Sequence, residues 1–320
     1  WGIDENINTW YEGVHDITIS NSIISEALHH SIHSQGPHSM GILIGFGSHD
    51  LSLIGNLFAH HNARHPRMHG DTKTAVINNY FYNFGQEAAR YGSDRGPLDA
   101  TIIGNIWREG INGNNRKPIT IGSELPVGSK VFLDDNRYFD KNGNEPYNHV
   151  DPWSLVNNGQ GLGVIVSSPP LIPQNLNAIK SENLENYIIS NAGARPADRD
   201  EVDKRIIQNV RDRTGSIINS QSDVGGFPNL AENQRTLTIP NNHNGDDDND
   251  GYTNLEEWLF EFSAEVEGTD NMPCQLVSDI DCDGCISNNE LFFAIDDWKK
   301  GNIDSDSLFI TINNWKGGCI

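Results

Sequence analysis

The sequence predicts an all-β fold, a right-handed parallel β-helix, followed by a small α-helical module with acidic loops. The first observation behind this prediction is a loose repeat of short apolar strands in the first half of the chain. The second is a composition with 36 % hydrophobic residues and frequent glycine, which is typical of turn-rich β proteins. The third is a pair of acidic twelve-residue loops near the end of the chain.

Each repeat consists of an alternating apolar strand, an asparagine and then large apolar residues. The asparagines stand roughly 23 to 35 residues apart, within the range of solenoid coils that carry loops of variable length. They are Asn21, Asn56, Asn79, Asn105 and Asn136. Asparagine tolerates the left-handed conformation of a sharp turn, and stacked asparagines can form a hydrogen-bonded ladder. We therefore expect coils across residues 15–140, with these asparagines along one edge.

Turn spacing, net charge and the length of the apolar runs argue against several other classes of protein. A β-sandwich should show hairpin turns about every 8–12 residues, and the sequence lacks that spacing. The formal net charge of −22 argues against nucleic acid or an anionic membrane as the partner. No apolar run is long enough to span a bilayer. The charge instead indicates an acidic surface, a salty habitat or several calcium sites, so a cleft for a polyanion would have to be locally positive.

The two ends of the chain predict its cellular setting. The chain begins at Trp1, without an initiating methionine or a signal peptide, which indicates a processed or truncated protein. Near the other end lie four cysteines: Cys274, Cys282, Cys285 and Cys319. An even number in a small module predicts up to two disulfides and a secreted protein, extracellular or periplasmic. Four free thiols in a cytosolic protein are the alternative.

One loop concentrates positive charge and imidazole groups in this acidic chain. It follows the apolar strand 51–54 and contains Arg64, Arg67 and four histidines between residues 56 and 69. Such a cluster suits an anionic ligand, and an arginine held in a fixed place can do more than bind it. The alternative is a basic loop that only docks polyanions.

The segment Arg64-His65-Pro66-Arg67 resembles the Arg-x-Pro-x signature of the pectate lyases, polysaccharide lyase family 1. The resemblance extends over residues 1–228. It implies a lyase that cleaves polygalacturonate, or another acidic plant or algal polysaccharide, by β-elimination. In this reaction Arg64 would remove the proton from C5 of the sugar ring. Substrate contacts are expected from Arg67, His38, His60, His61 and His69.

Calcium is the cofactor that this resemblance implies. The opening Trp1-Gly2-Ile3-Asp4-Glu5-Asn6 is similar to a segment that supplies carboxylates in the family, so Asp4 and Glu5 are the expected ligands. Calcium would bridge them to the uronate carboxylate and acidify the C5 proton. Nearby cations would also disfavour the charged form of Arg64, which is otherwise protonated at neutral pH. The family uses a further acidic residue from an earlier coil, so the β-helix is expected to lack its first coils.

Three positions depart from the family pattern. Gln35 stands where similar sequences often carry lysine, and this loss of positive charge would weaken carboxylate binding or redirect substrate preference. His69 stands near a place that often holds a further arginine. Phe227 replaces tryptophan in a segment that resembles a structural Gly-Gly-Trp-Pro motif.

Two twelve-residue loops fit the EF-hand template for calcium. The template places carboxylates at positions one, three and five, then glycine, a backbone carbonyl and a closing glutamate. The first loop supplies Asp246, Asp248, Asp250, the Tyr252 carbonyl and Glu257. The second supplies Asp279, Asp281, Asp283, the Cys285 carbonyl and Glu290. We expect both to be structural calcium sites, since an acidic solvated linker would not need this ordered pattern.

The last part of the chain repeats internally, with residues 284–299 aligned to residues 301–316. The pair resembles dockerin-like calcium-loop tails of secreted enzymes, which implies a cohesin-like or cell-surface partner. Ser307 stands where the first copy has Glu290, so the second copy is expected to bind no metal. Two domains are therefore predicted. Residues 1–228 form the β-helix and a tail with a helix near residues 202–210, and residues 229–320 form the calcium-loop module.

Two other functions remain open from the sequence. A non-catalytic polysaccharide-binding β-helix, in effect a decayed lyase, would fit Gln35 and the missing upstream carboxylate, whereas Arg64 argues against it. A pectin-hydrolysing glycosidase would need paired carboxylates as acid and base. The sequence contains neither the Gly-His-Gly nor the Arg-Ile-Lys segment of the familiar pectin hydrolases.

Overall fold

The computed structural model describes residues 1–92, 95–158, 164–174, 176–229, 237–249 and 251–267, with isolated residues between 291 and 316. The chain divides into two compact units, Trp1–Glu232 and Asn233–Ile320. The boundary expected between residues 228 and 229 lies beside the segment 230–236, which is outside the described residues. Within the described ranges, no helix is both long and apolar enough to cross a membrane.

Three parallel sheets form the sides of the first unit, as far as the described residues extend. Sheet 1 contains β1 (Glu5–Thr9), β4 (Met40–Ile44), β7 (Arg67–Met68), β10 (Ala89–Tyr91), β13 (Ile119–Ile121) and β16 (Val156–Asn158). Sheet 2 contains β2 (His15–Ser20), β5 (His49–Ile54), β8 (Thr72–Ile77), β11 (Leu98–Ile103) and β14 (Lys130–Asp134). Sheet 3 contains β3 (Ile23–Ser25), β6 (Leu57–Ala59), β9 (Tyr80–Tyr82), β12 (Ile106–Arg108) and β15 (Arg137–Phe139).

The chain passes through sheets 1, 2 and 3 in turn and then returns to sheet 1 one strand further along. Strands of neighbouring coils pair in parallel, as Leu51 of β5 does with Thr74 of β8. This is a parallel β-helix, as the sequence predicts for this part of the chain. The coils begin upstream of the expected residue 15, at β1, and continue past residue 140 to β16.

Stacked aromatic rings fill the interior of the β-helix beside sheet 3. Phe58, Phe81 and Trp107 come from successive coils, and their ring centroids lie 5.1 and 5.0 Å apart. All three side chains are fully buried. Burial of each large apolar side chain contributes roughly 1.5–3 kcal/mol. The large apolar residues that follow each repeated asparagine therefore include the inward-facing positions of sheet 3.

The asparagine ladder, formed by Asn56, Asn79, Asn105 and Asn136, lies in the turn between sheets 2 and 3. The side-chain Nδ2 of each of the first three donates to the Oδ1 of the next asparagine, at 2.9, 3.1 and 3.0 Å along the stack. All four side chains are buried. Asn21 lies in the same turn, at the expected edge, but one residue before the ladder position. Ser22 holds the equivalent position, and its backbone N–H donates to Asn56 Oδ1 at 3.0 Å.

A column of residues with positive φ runs beside the ladder, one residue earlier in each coil. Its members are Asn21, Gly55, Asn78, Gly104 and Asp135, with φ between 45° and 66°. A Cβ atom on Gly55 would lie 2.5 Å from Asn21 Oδ1, and one on Gly104 would lie 2.4 Å from Asn78 Nδ2. The column therefore alternates between a side chain that needs room and a glycine that provides it.

Two helices cover the outer face of sheet 3. They are α1 (Ser181–Asn191) and α2 (Glu201–Asp212). Asp200 caps α2 by accepting the N–H groups of Val202 and Asp203, both at 2.9 Å. A second apolar cluster joins the helices to the sheet, and it includes Leu57, Tyr80, Leu184, Ile188, Ile206, Ile207 and Val210. The helix expected near residues 202–210 is present, whereas α1 makes the fold less purely β than predicted.

A buried charge pair ties the loop after β3 to α2. Glu26 is 1 % exposed, and its carboxylate accepts hydrogen bonds from Arg205 at 2.5 and 2.8 Å. The indole N–H of Trp1 donates to the same carboxylate at 2.9 Å. Burial alone would raise the pKa of Glu26, but the bonds from Arg205 and Trp1 outweigh it and the pKa is lowered. Trp1 also packs edge-on against Phe227, in line with a structural role for that motif.

Candidate active site

Arg64 lies in the tight turn between β6 and β7. Its backbone is left-handed, with φ of 67°, and its carbonyl accepts a hydrogen bond from Ile42 N at 2.9 Å. Gly41 permits this close approach, because a Cβ at that position would lie 2.5 Å from the Arg64 carbonyl oxygen. The turn therefore fixes where the Arg64 side chain leaves the backbone.

The Arg64 guanidinium lies against the two carboxylates at the start of the chain. Its Nη1 contacts Glu5 Oε1 and lies 3.7 Å from Asp4 Oδ1. The Arg64 side chain is 19 % exposed, so the ion pair with Glu5 is largely shielded from water. The expected residues Asp4, Glu5 and Arg64 are thus brought together, although far apart in sequence.

Burial is the largest influence on the protonation of Arg64. It lowers the pKa of the guanidinium, because desolvation disfavours the charged form. Asp4 acts in the opposite direction, and the positive charge of Arg67 lowers the pKa further. The net pKa of Arg64 is lowered from its ordinary value. The positive charge of Arg67 therefore favours the neutral form of the Arg64 guanidine.

Sheet 1 carries an arginine row, formed by Arg67 of β7 and Arg90 of β10, which are paired in register. Arg90 donates to Glu124 at 2.7 Å and to Glu87 at 3.4 Å. Arg67 Nε is buried and has no hydrogen-bond partner among the described residues. Burial and then Arg90 lower the pKa of Arg67, while Glu87 and Glu124 oppose them. A row of two positively charged guanidinium groups suits an anionic oxygen ligand.

A cavity of about 480 Å³ opens beside Arg90, and sequence reasoning missed its basic lining. The lining includes Arg90, Arg116, Lys117, Thr120 and Asn157. Arg90 could have been found, because the step of 23 residues from Asn56 to Asn79 also leads from Arg67 to Arg90. The repeat period therefore identifies which side chains stack, even where the residues themselves suggest nothing.

His60 and His61 do not have the role expected for them. Both imidazoles are fully buried, so neither presents a surface to a polysaccharide. His61 bonds to His65 at 2.6 Å and to Asn6 at 3.0 Å, and His60 lies 2.8 Å from Asn83 Nδ2. Burial lowers the pKa of His60 to about 4 and that of His65 to about 3, so both are neutral at pH 7. These histidines fasten the turn that carries Arg64.

The other two expected contact histidines, His38 and His69, have different surroundings. His38 Nε2 lies 3.7 Å from Asp4 Oδ1, so its ring belongs to the surroundings of Arg64. His69 packs edge-on against Trp10, with ring centroids 5.2 Å apart. Whether Arg67, His38 and His69 contact a substrate stays a prediction.

The donors at Asp4 and Glu5 do not suit a catalytic calcium ion. Calcium takes six to eight oxygen ligands. Here Glu5 is taken up by Arg64, and Asp4 is flanked by the imidazoles of His33 and His38. This disagrees with the expectation that Asp4 and Glu5 bind calcium together.

The first acidic loop of the second unit fits calcium better. Gly251 has φ of 100°, and its N–H donates to Asp246 Oδ2 at 3.1 Å, which closes the turn. The loop leads into α3 (Asn254–Glu267), which contains the closing Glu257. Asp248 and Tyr252 are described, whereas Asp250 lies outside the described residues. The second loop also lies outside them: Asp279, Asp281, Asp283, Cys285 and Glu290. The four cysteines lie there too, so disulfides and a cohesin-like partner stay predictions.

Comparison with curated proteins points to pectin lyases. Probable pectin lyase A of Aspergillus clavatus is 33 % identical over 121 residues, which are 38 % of this chain and 29 % of that protein. Probable pectin lyase B of Aspergillus niger is 35 % identical over 117 residues, which are 36 % of this chain and 27 % of that protein. The chain thus spans less than a third of the length of either relative. No protein-family model matches it.

Solved structures of pectate lyases also align with the chain. A Bacillus subtilis pectate lyase variant gives a TM-score of 0.40 at 17 % identity, over 60 % of this chain and 43 % of that one. A pectate lyase bound to a hexasaccharide gives a TM-score of 0.39 at 16 % identity, over 60 % of this chain and 44 % of that one. By sequence, the chain is similar to pectin lyases over part of its length.

Proposed function

We propose that the chain is a polysaccharide lyase that cleaves a pectic polysaccharide by β-elimination, with Arg64 as the base. The observation that carries this proposal is the placement of Arg64, part-buried at Asp4 and Glu5 and next to the positive charge of Arg67. Similarity to pectin lyases supports the same class of reaction. We also propose that the protein acts outside the cell, where such polymers occur.

The arginine row would bind and polarise the acidic sugar. A carboxyl or carboxylate oxygen of the uronate accepts from the half-buried guanidinium of Arg67. A nitrogen lone pair of Arg64 takes the C5 proton, and the C5–H electrons form the C4–C5 double bond. The C4–O bond breaks, and its oxygen leaves with the electron pair and takes up a proton. Negative charge that develops on the carboxyl group is stabilised by the fixed charge of Arg67.

The proposal requires Arg64 to be neutral when it collects the proton. Burial and Arg67 favour the neutral form, whereas Asp4 favours the charged form. The contact with Glu5 also favours the charged form. Substrate binding must therefore release the guanidinium from Glu5. Calcium in the cleft has no part in the proposal, because the donors at Asp4 and Glu5 do not suit it.

The same ion pair favours one alternative function. If Glu5 holds Arg64 permanently charged, the β-helix binds an acidic polysaccharide without cleaving it. The arginine row and its cavity serve a binding protein equally well. The two functions differ only in whether a bond is broken, so an assay of products separates them.

The decisive experiment incubates the protein with polygalacturonate and, separately, with methyl-esterified pectin. Lyase activity gives the ultraviolet absorbance of an unsaturated uronate together with new reducing ends. Reducing ends without that absorbance would indicate hydrolysis. Binding without either product would support the polysaccharide-binding β-helix. Both substrates are run with and without added calcium, since the proposal expects no requirement for calcium in the cleft.

Variants test the role of Arg64 itself. Arg64→Lys keeps the charge but loses the guanidine group, and we expect kcat to fall by about 100- to 10,000-fold while binding is retained. Arg195→Lys is the matched control, because Arg195 is a surface arginine paired with a carboxylate, Asp198, at 2.6 Å. Turnover by Arg64→Lys equal to that of the control would exclude Arg64 as the base.

A further inference from the structure

Two imidazoles converge on the carboxylate of Asp4. His33 Nε2 lies 3.4 Å from Asp4 Oδ2, and His38 Nε2 lies 3.7 Å from Asp4 Oδ1. The three candidate ligand atoms all lie within 4.8 Å of one another. In a tetrahedral zinc site with bonds near 2.0–2.2 Å, ligand atoms stand about 3.4 Å apart. The spacing therefore leaves room for one small cation between the three side chains.

The hydrogen bonds of His38 orient a lone pair towards Asp4. His38 Nδ1 lies 3.0 Å from the Gly36 carbonyl, which can only accept, so Nδ1 carries the proton of the neutral ring. Nε2 then presents its lone pair to Asp4 Oδ1. That oxygen is buried and has no hydrogen-bond partner among the described residues. Two acceptors face one another, and a metal-binding histidine commonly donates its other N–H to a backbone carbonyl.

The local charge also favours a cation. Asp4 and Glu5 carry two negative charges, and Arg64 supplies one positive charge to both. Arg64 Nη1 is 3.7 Å from Asp4 Oδ1, longer than a hydrogen bond, so it does not satisfy that oxygen. The formal net charge of −22 draws cations to the protein as a whole.

We propose that Asp4, His33 and His38 bind a divalent transition-metal ion such as zinc. Two nitrogen donors with one carboxylate are a ligand set that zinc accepts and that calcium, which requires oxygen, does not. Asp4 is 39 % exposed, whereas the side chains of His33 and His38 are 15 % and 10 % exposed. The ion would be held by three protein ligands and keep one position open to water.

Binding requires one local rearrangement. His33 Nδ1 accepts the N–H of Gln35 at 3.2 Å, so the proton of the neutral ring stands on Nε2. Coordination through Nε2 moves that proton to Nδ1 and breaks the contact with Gln35. This contact is long and lies on an exposed loop, so the cost of losing it is small. The proposal does not depend on the lyase reaction.

A cobalt titration of the whole chain tests the site. Protein freed of metal by a chelator is placed in excess calcium, to saturate any calcium site in the acidic loops, and Co²⁺ is added while visible absorption is recorded. We expect the d–d bands of a site with few ligands, lost on addition of zinc. Asp4→Asn and His33→Ala should each weaken cobalt binding by more than about a hundredfold. Zinc should raise the melting temperature of the parent and not that of these variants.

His149→Ala is the control, because His149 faces a single carboxylate, Glu145, at 3.5 Å. Its cobalt spectrum should match that of the parent. Cobalt at other groups, the four cysteines included, cancels in the difference spectrum between parent and variant. The proposal is overturned if Asp4→Asn and His33→Ala bind cobalt like the parent, or if calcium displaces the cobalt.

Discussion

Two stacks of polar side chains run along the same β-helix with opposite properties. In the asparagine ladder every amide can both donate and accept, so each added coil satisfies the one before it. In the arginine row, Arg67 and Arg90 can only donate, and both carry the same charge. The row therefore depends on Glu87, Glu124 or a ligand for acceptors. The coil repeat brings equivalent side chains together whatever their type. Side chains that both donate and accept hydrogen bonds stabilise their own stack. Side chains that only donate need acceptors from elsewhere, which a ligand can supply.

Breaking the ladder should have the largest effect on stability. Asn79→Leu removes the amide that accepts from Asn56 and donates to Asn105 and to the Leu53 carbonyl. Several buried groups then lack partners, so we expect a loss of about 3–5 kcal/mol. The shift of the urea unfolding midpoint measures it. Asn191→Ala, at an exposed helical asparagine, is the control, and an equal shift for both variants would show that the ladder adds nothing.

The acidic loop at 246–257 concentrates negative charge in sequence, in contrast to the positive arginine row, and a bound cation should offset that charge. Calcium at a hundred times its dissociation constant would stabilise this loop by about 2.7 kcal/mol. Trp258 lies in α3 and stacks on Phe262, so its fluorescence reports the unfolding of that helix. We expect chelator to lower the fluorescence melting temperature, and Glu257→Gln to remove the difference. Identical curves for the parent with and without calcium would contradict a calcium site here.

In contrast to the arginine row, the Glu26–Arg205 pair joins opposite charges, so it should stabilise the fold. Glu26→Gln should lower stability by about 2 kcal/mol at neutral pH, a moderate value because the Arg205 side chain is 28 % exposed. The folded pKa of Glu26 is lowered, so its contribution is present above the unfolded pKa of about 4.3 and is lost as pH falls through the folded value. Melting curves of parent and variant should therefore converge in acid. A constant gap down to the lowest pH would mean that the pair does not titrate as expected.

Neutralising the arginine row should have the smallest effect on stability and a larger one on function. Arg67→Met removes a half-buried like charge and a buried, unpartnered Nε, so we expect stability unchanged or raised by up to about 1 kcal/mol. Under the proposed function, kcat/KM should fall by about a hundredfold. Arg195→Met, at a surface arginine, should change neither. A clear loss of stability in Arg67→Met would mean that the row is structural.

The coils could be predicted from sequence because the ladder requires one residue type at the same place in every coil. The exception is instructive. Asn21 and Asn56 both follow a strand, yet Asn21 lies in the left-handed column and Asn56 in the ladder. Both positions favour asparagine, and only strand register separates them. Helix α1 was missed because its stability comes from packing on sheet 3, which no local pattern reveals.

The candidate site was predictable only in part. The motif around Arg64, and the resemblance at Asp4 and Glu5, located three residues that the fold brings together. The same loop sequence misled for His60 and His61, because a run of polar residues does not say which side chains turn inward. The convergence of His33 and His38 on Asp4 depends on two loops that lie side by side only in the folded coil.

The alternation of long and short residues in the left-handed column limits how this solenoid can lengthen during evolution. Duplicating one coil would place two glycines, or two long side chains, against each other. Gly55 and Gly104 leave no space for a Cβ beside Asn21 and Asn78, so two long neighbours would collide. Duplicating two coils together preserves the alternation. Insertions and deletions in related genes should therefore occur in pairs of coils, or be accompanied by an exchange between glycine and asparagine in this column.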